Sequence, residues 1–424
     1  MDTYKTDEVF GLSRDLPLNY VDRPAVDEFF VENLTRSKHI VIYGSSKQGK
    51  TSLRKHCLEP DDYIVVQCSS EWDLRNIHES ILKQAGFRIT ISETKTTSGQ
   101  AKILARFNVS HSKATTTSDL DLDPNDVNDI IRALDSIDFR KYIVLEDFHY
   151  LPTESQRRFA VVLKAFHESS NYCFIVVGVW LEENRLTLYN GDLIGRVVAI
   201  DADRWTNEQL SDVIDKGATL LNIGIPESTK ARLIRSSYSS VYVVQEACLR
   251  LCRDEHVYET QNTFRVVGTE ADTDAVVAKI VAEQGGRYSA FIREFSGGFQ
   301  ASELEMYKWL LLPVLTSPVK DLQRGLPQRD LREFLYTHHP VGDQLNSGNL
   351  TIALQSVANL QSRKNIKPIV LDYDETGRVL RVVDRSFFPW ISLQDLSELL
   401  LSAGFEADFV TRFLANDKNR LTLA

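Results

Sequence analysis

One segment does most to limit what this chain can become: HIVIYGSSKQGKTSLRKHCL, residues 39–58. Its opening run of β-branched and apolar residues predicts a strand buried on both faces. The next eight residues, Gly44-Ser45-Ser46-Lys47-Gln48-Gly49-Lys50-Thr51, match G-x-x-x-x-G-K-[ST] in full, and a helical pattern follows at once. Glycine at each end lets such a loop curl until successive backbone N–H groups point inward at an anion. The first turn of the helix adds its partial positive charge. Lys50 then reaches the outer phosphates of a nucleotide, while the Thr51 hydroxyl, with Ser52 behind it, completes a magnesium shell. A strand that feeds such a loop and helix belongs in a parallel sheet covered by helices.

The partner signal is KYIVLEDFHYL (141–151), in which an apolar run ends in Glu146-Asp147. Two carboxylates at the C-terminal edge of a parallel strand lie at the edge where the phosphate loop also sits. One acid holds magnesium and the other polarises the attacking water. The usual order for a hydrolytic site is Asp then Glu. Here it is reversed, so Glu146 is assigned to magnesium and Asp147 to the water, with the roles exchangeable.

Around these motifs the chain alternates strand-like runs with helical stretches. The runs are 39–44, 63–68, 142–147, 174–179 and 196–201. Five of them predict one compact α/β domain over 37–201. A Thr/Ser-rich stretch from 88 to 123 interrupts the rhythm. In its middle, Ile103, Ala105 and Phe107 alternate with Lys102, Leu104 and Arg106, which fits a β-hairpin or flap as well as a loop. From 202 to 300 the pattern is helical, opened by the capping-box pair Thr206 and Gln209. Its junction with the last unit is expected near Gly285-Gly286 and Gly297-Gly298. From 301 to 424 three helices (303–315, 327–338, 349–364) precede two strands (367–373, 378–384), the order of a winged helix.

With 424 residues the chain can bury more than one core without metal or disulfide staples. Its 49 Lys and Arg against 59 Asp and Glu exclude a protein that coats nucleic acid with its whole surface. Five cysteines without a C-x-x-C pair, and an N-terminus without a secretory pattern, point to a reducing cytoplasm. No apolar run is long enough to span a bilayer, so no membrane partner is expected.

The phosphate loop, the acidic strand and the order of helical unit then winged helix resemble the AAA+ ATPases. The likeness is to their origin-recognition and archaeal-type members, which shade into the STAND signalling ATPases. The resemblance extends over nearly the whole chain, including residues 1–36, where Tyr20-Val21-Asp22-Arg23 is similar to the motif bordering the adenine pocket. It implies an AAA+ sheet domain, a helical lid and a C-terminal winged helix, with ATP and Mg2+ as ligands. Tyr20 and Arg23 then join the nucleotide site, and Arg196, just before the fifth strand, is the arginine that reaches a neighbour's γ-phosphate. A surface or interdomain ion pair is an equal reading of Arg196. The family's polar sensor after the fourth strand is missing from FIVVGVW, with Asn184 the nearest substitute, and the second sensor arginine is missing from VYVVQ. Slow or partner-dependent hydrolysis follows from these departures.

Other signals carry less. Ser296-Gly297-Gly298 lies far downstream of the acidic strand, unlike an ABC signature, and reads as a turn. Cys248, Cys252 and His256 share a helix face but lack a fourth zinc ligand. No Asn-Lys-x-Asp motif selects guanine. DNA could meet helix 349–364 or the insertion, whose Lys95, Lys102, Arg106, His111 and Lys113 are basic. Residues 301–424 nevertheless hold 14 Lys and Arg against 15 Asp and Glu, and Asp372, Asp374 and Glu375 stand at the wing tip, where they would repel phosphate. The expectation is an ATP-binding and ATP-hydrolysing switch that controls assembly, as a homo-oligomer, or a protein partner, with DNA left open. Its alternative is a slowly hydrolysing or non-hydrolysing STAND-like regulator in a system such as bacterial defence.

Overall fold

The computed structural model describes residues 2–13, 15–34, 37–95, 101–111, 114–300, 302–415 and 421, without the side chains of 91–101 and 108–118. Eight strands occupy the first half: β1 (His39–Tyr43), β2 (Tyr63–Gln67), β3 (Arg88–Lys95), β4 (Ala101–His111), β5 (Ala114–Leu122), β6 (Tyr142–Glu146), β7 (Phe174–Val177) and β8 (Val197–Asp201). Five of them form a parallel sheet in the order β2-β6-β7-β1-β8. Each is short and apolar because both faces are covered. In β1, Val41 and Tyr43 enter one core with Ile77, Ile81, Phe159 and Leu163. Ile40 and Ile42 enter the opposite core with Val26, Phe30 and Leu53. Because β1 lies between β7 and β8, its C-terminal end opens at the centre of the sheet edge, and the phosphate loop leaves from there.

The insertion is a three-stranded antiparallel sheet, β3-β4-β5. The alternation read from the sequence decides its inner face: Ile103, Ala105, Phe107 and Leu122 are buried against the sheet domain. Two of its basic residues are paired across β4 and β5, Lys102 with Asp121 at 3.5 Å and Arg106 with Asp119 at 2.7 Å. Lys113 and the side chains of Lys95 and His111 lie outside the described residues.

Helices Asn207–Leu220, Glu227–Ser236, Val241–Asp254 and Thr273–Glu283 build the next unit, the first opened by the Thr206–Gln209 capping box. Cys248 and Cys252 are core thiols there, and none of the five cysteines is in a disulfide. The glycine pair at 285–286 begins a helix, Gly285–Ser296, that carries Tyr288, Phe291, Ile292 and Phe295 inward. One continuous core therefore joins Leu210, Val243 and Ile280 to Leu310, Leu354, Phe387 and Phe413.

In the last unit, helices Met306–Thr316, Val319–Arg324 and Gln328–His338 come first. The stretch expected as one helix over 349–364 is two, Ser347–Gln355 and Val357–Arg363, broken at Ser356. The break turns Gln361 inward, where its amide accepts from Val370 and Leu371 N–H and donates to Leu371 C=O. A buried amide that saturates a strand edge in this way accounts for the departure from a straight helix. The strands are Leu371–Asp374 and Val379–Val382, with Leu326–Pro327 added outside the second.

Candidate nucleotide site

The phosphate loop is held by backbone geometry that its sequence demands. Gly44 (φ +144) and Gly49 (φ +84) lie in conformations that side chains rarely adopt, and a Cβ on Gly44 would stand 3.1 Å from Asp203 N. Lys47 also has positive φ, at +59. Lys50 is the first residue of helix Lys50–Cys57, and its Nζ donates to Gly44 O at 3.0 Å and Ser45 O at 2.6 Å. Burial lowers its pKa to about 8, against the opposing pull of Asp203, Glu146 and Asp147.

Residues 46–52 line one wall of a cavity of about 320 Å³. Glu146, Asp147 and His149 form a second wall, and Val177, Gly178 and Val179 at the end of β7 a third. The apolar end is made by Phe10, Leu12, Pro17, Tyr20, Val213 and Val241, a slot suited to a flat ring. Loop residues 46–49, Lys50, Thr51, Glu146 and Asp147 all line this cavity.

Each acid has a partner that the sequence did not reveal. Arg54, one turn along the phosphate-loop helix, donates from Nε to Glu146 Oε1 at 3.1 Å, with both groups buried, and lies over the Tyr63 ring. Gln67 on β2 donates to Asp147 Oδ2. Burial raises the pKa of both carboxyls, offset for Glu146 mainly by Arg54 and for Asp147 by Gln67, Lys50 and Lys367. Asp147 itself sits at φ +56, a left-handed turn that takes its carboxylate out of line with the strand.

Three assigned residues take other places. Ser45 turns its hydroxyl to Asp203 Oδ2 at 2.7 Å, away from the cavity. Arg23 does not line the cavity. It is fully buried, donates to Ala202 O at 2.9 Å and lies 4.3 Å from the Trp205 ring, so it braces the end of β8. Tyr20 does line the cavity, with its hydroxyl donated to Asp27 and its ring stacked on His56. Arg196 precedes β8 at the opposite edge of the sheet and pairs with Glu168 at 2.8 Å. Asn184 is exposed and outside the cavity.

The sequence also gave no sign of what covers the loop. Ser46 N–H donates to Val383 O at 2.8 Å, and Arg385 reaches Asp203 Oδ2 at 3.2 Å, so the C-terminal unit touches the phosphate loop directly. Lys47 lies 3.8 Å from the Tyr242 ring, and Trp205 Nε1 donates to Gln48 O at 3.2 Å. The hairpin of strands Leu371–Asp374 and Val379–Val382 is engaged as well. Asp372 pairs with Arg185, Asp374 with Arg381, and Glu182 accepts from Thr376 N and Oγ1. The acids expected to repel phosphate at the wing tip are therefore largely neutralised within the fold.

Among the described residues, only Asp22, Asp27 and His56 gather as metal-ligand types, and no helix is long and apolar enough to cross a membrane.

No protein-family model and no curated protein matches the chain. Solved structures do. The Walker-type ATPase of Pyrococcus abyssi is similar over 91% of this chain and 99% of that one, at 12% identity and a TM-score of 0.56. The Aeropyrum pernix ORC2 protein, solved in ADPNP–ADP complexes, aligns over 96% and 100% at 13% identity and a TM-score of 0.44. The ORC1 protein of the same organism, solved with DNA, aligns over 97% and 98% at 11% identity and a TM-score of 0.42. The fold shared with that Walker-type ATPase is mixed α/β, with a central parallel sheet and many helices.

Proposed function

We propose that this chain binds ATP with magnesium, hydrolyses it, and uses the nucleotide to set how its C-terminal unit sits against the sheet domain. The observation that carries the reading is the convergence of the phosphate loop, Lys50, Thr51, Glu146 and Asp147 on one cavity with an apolar end. The triphosphate follows residues 46–52, its charge met by loop N–H groups, the helix start and Lys50. The base enters the slot between Tyr20 and Val241. Thr51 and Glu146 offer hard oxygen donors that suit magnesium, which when bound neutralises charge on the β- and γ-phosphate oxygens. Asp147, whose pKa is raised by burial, accepts the proton of the attacking water. The new bond forms between water oxygen and γ-phosphorus. The bond to the bridging oxygen breaks, and its electron pair leaves with ADP.

The direct contacts of Val383 and Arg385 with the loop and its Asp203 brace support the switch, because a change in loop conformation is felt across that interface. The same contacts support the alternative of a slowly turning over regulator held closed by its own C-terminal unit. Calorimetry with ATP and single-turnover phosphate release test both. Lys50→Ala is expected to lose ATP binding, whereas Asp147→Ala keeps ATP and stops turnover. Equal ATP affinity in Lys50→Ala refutes the site. Turnover that rises when the wing contacts are cut supports the closed regulator.

A DNA role rests on a different place. Arg329, Arg332 and Arg378 surround a groove of about 770 Å³ between helices Gln328–His338 and Ser347–Gln355. Duplex binding that weakens when these arginines become alanine, with a smaller salt slope, supports winged-helix contact with DNA. Oligomer formation that depends on ATP supports partnership with further copies of the chain.

A further inference from the structure

The tip of β7 gives the cavity only Val177, Gly178 and Val179, so no side chain from that strand can hydrogen-bond a terminal phosphate or its water. His149 faces the same cavity from the turn after Asp147. It is 5% exposed, and neither Nδ1 nor Nε2 has a hydrogen-bond partner. A buried imidazole with two unsatisfied nitrogens is a costly arrangement, rare unless the site uses those nitrogens. Its ring packs at 4.0 Å centroid distance against Tyr150. Burial keeps it neutral, so it carries one donor and one acceptor.

We infer that His149 is the polar sensor of this site, donating one ring N–H to a γ-phosphate oxygen and accepting from the attacking water. The inference rests on the nucleotide reading above. It explains how a site with an apolar β7 tip tells ATP from ADP: the group that reports the γ-phosphate comes from the acidic-strand turn instead. It also draws the acceptor from the turn that carries Asp147, on the same cavity, so the water is oriented by one group and deprotonated by the other.

The test compares wild type, His149→Ala and His149→Gln by calorimetry with ADP alone and with ADP plus aluminium fluoride and magnesium, and by single-turnover hydrolysis of ATP. For His149→Ala, affinity for ADP stays within about twofold. Affinity for the ADP–aluminium fluoride complex falls at least about tenfold, and hydrolysis falls about 10²-fold. His149→Gln, which keeps a donor and an acceptor, recovers part of both losses. If His149→Ala binds the aluminium fluoride complex as wild type does, or loses ADP affinity to the same extent, the inference is overturned while the nucleotide site stands. A wild-type chain that binds neither ADP nor ATP overturns the site reading and this inference with it.

Discussion

Replacing Arg185 tests the contact that joins the sheet domain to the C-terminal hairpin at Asp372. Its guanidinium donates from Nε to Glu182 Oε2 at 3.3 Å and from Nη2 to Asp372, and it lies 5.1 Å from the fully buried Trp180 ring. Glu182 and Asp372 are each only 3% exposed, so solvent cannot substitute for the lost cation. Arg185→Met keeps much of the stem packing and leaves two buried carboxylates uncompensated. Removing one partner of such a group costs about 3–5 kcal/mol, or about 10²- to 10⁴-fold in the constant for undocking the hairpin. Asp372→Asn in the same chain should recover most of the deficit, because it removes a stranded charge at nearly constant shape. Burial already pushes the Asp372 carboxyl up even with Arg185 present. Without Arg185, Asp372 takes up a proton more readily, so the deficit shrinks as pH falls. Urea titrations followed by tryptophan emission, with Trp180 as the local reporter, measure the contact, and far-UV dichroism follows the rest. The reasoning is refuted if Arg185→Met stays within about 1 kcal/mol of wild type by both probes, or if the double variant is no more stable than the single one.

His39 sets an acid limit. Phe174 N–H donates to its Nδ1 at 3.2 Å and its Nε2 faces Leu163 O at 3.0 Å, so the neutral tautomer with Nε2–H fits and a proton on Nδ1 does not. Burial lowers its pKa from 6.5 to about 4. The unfolded chain therefore binds more protons between those values, and stability falls as pH drops from about 6.5 to 4, by at most about 3 kcal/mol for this group. Chemical denaturation of wild type and His39→Gln across that range is expected to show a smaller pH slope in the variant. Gly178→Ala would set a Cβ 1.6 Å from the Trp180 ring, so overpacking should cost about 1–3 kcal/mol, read as a lower denaturation midpoint. Arg196→Ala should bind ATP as wild type does and lose turnover only at concentrations where the chain assembles. Equal loss at every concentration would show that the arginine acts within its own chain.

Much of the fold was legible because it is written in short stretches. The β1–loop–helix unit needs only local glycines, a strand pattern and a helix start. Lys50 and Thr51 were read from it, and Glu146 and Asp147 from the apolar run of 141–151. The alternation of Ile103, Ala105 and Phe107 likewise contained the inner face of the insertion, although not its third strand. What the sequence left open depends on partners distant along the chain. Asp203 lies 158 residues from Ser45, and Arg185 lies 187 from Asp372. The break at Ser356 exists because Gln361 meets a strand edge, and a helical periodicity cannot register that edge.

By itself, then, the sequence determined a parallel sheet with a phosphate loop at its edge and an acidic strand end, since strand pattern, loop glycines and helix start are set by local residue types, whereas the strand order came from the structure. Only the tertiary structure decided that Ser45 turns from the loop to Asp203, that Arg54 pairs with Glu146, and that Asp372 and Asp374 pair with Arg185 and Arg381. It also decided that His149 is buried beside the cavity with neither ring nitrogen hydrogen-bonded. The physical reason is that charge and hydrogen-bonding capacity are matched by packing, and packing joins segments whose separation in sequence carries no signal of their contact.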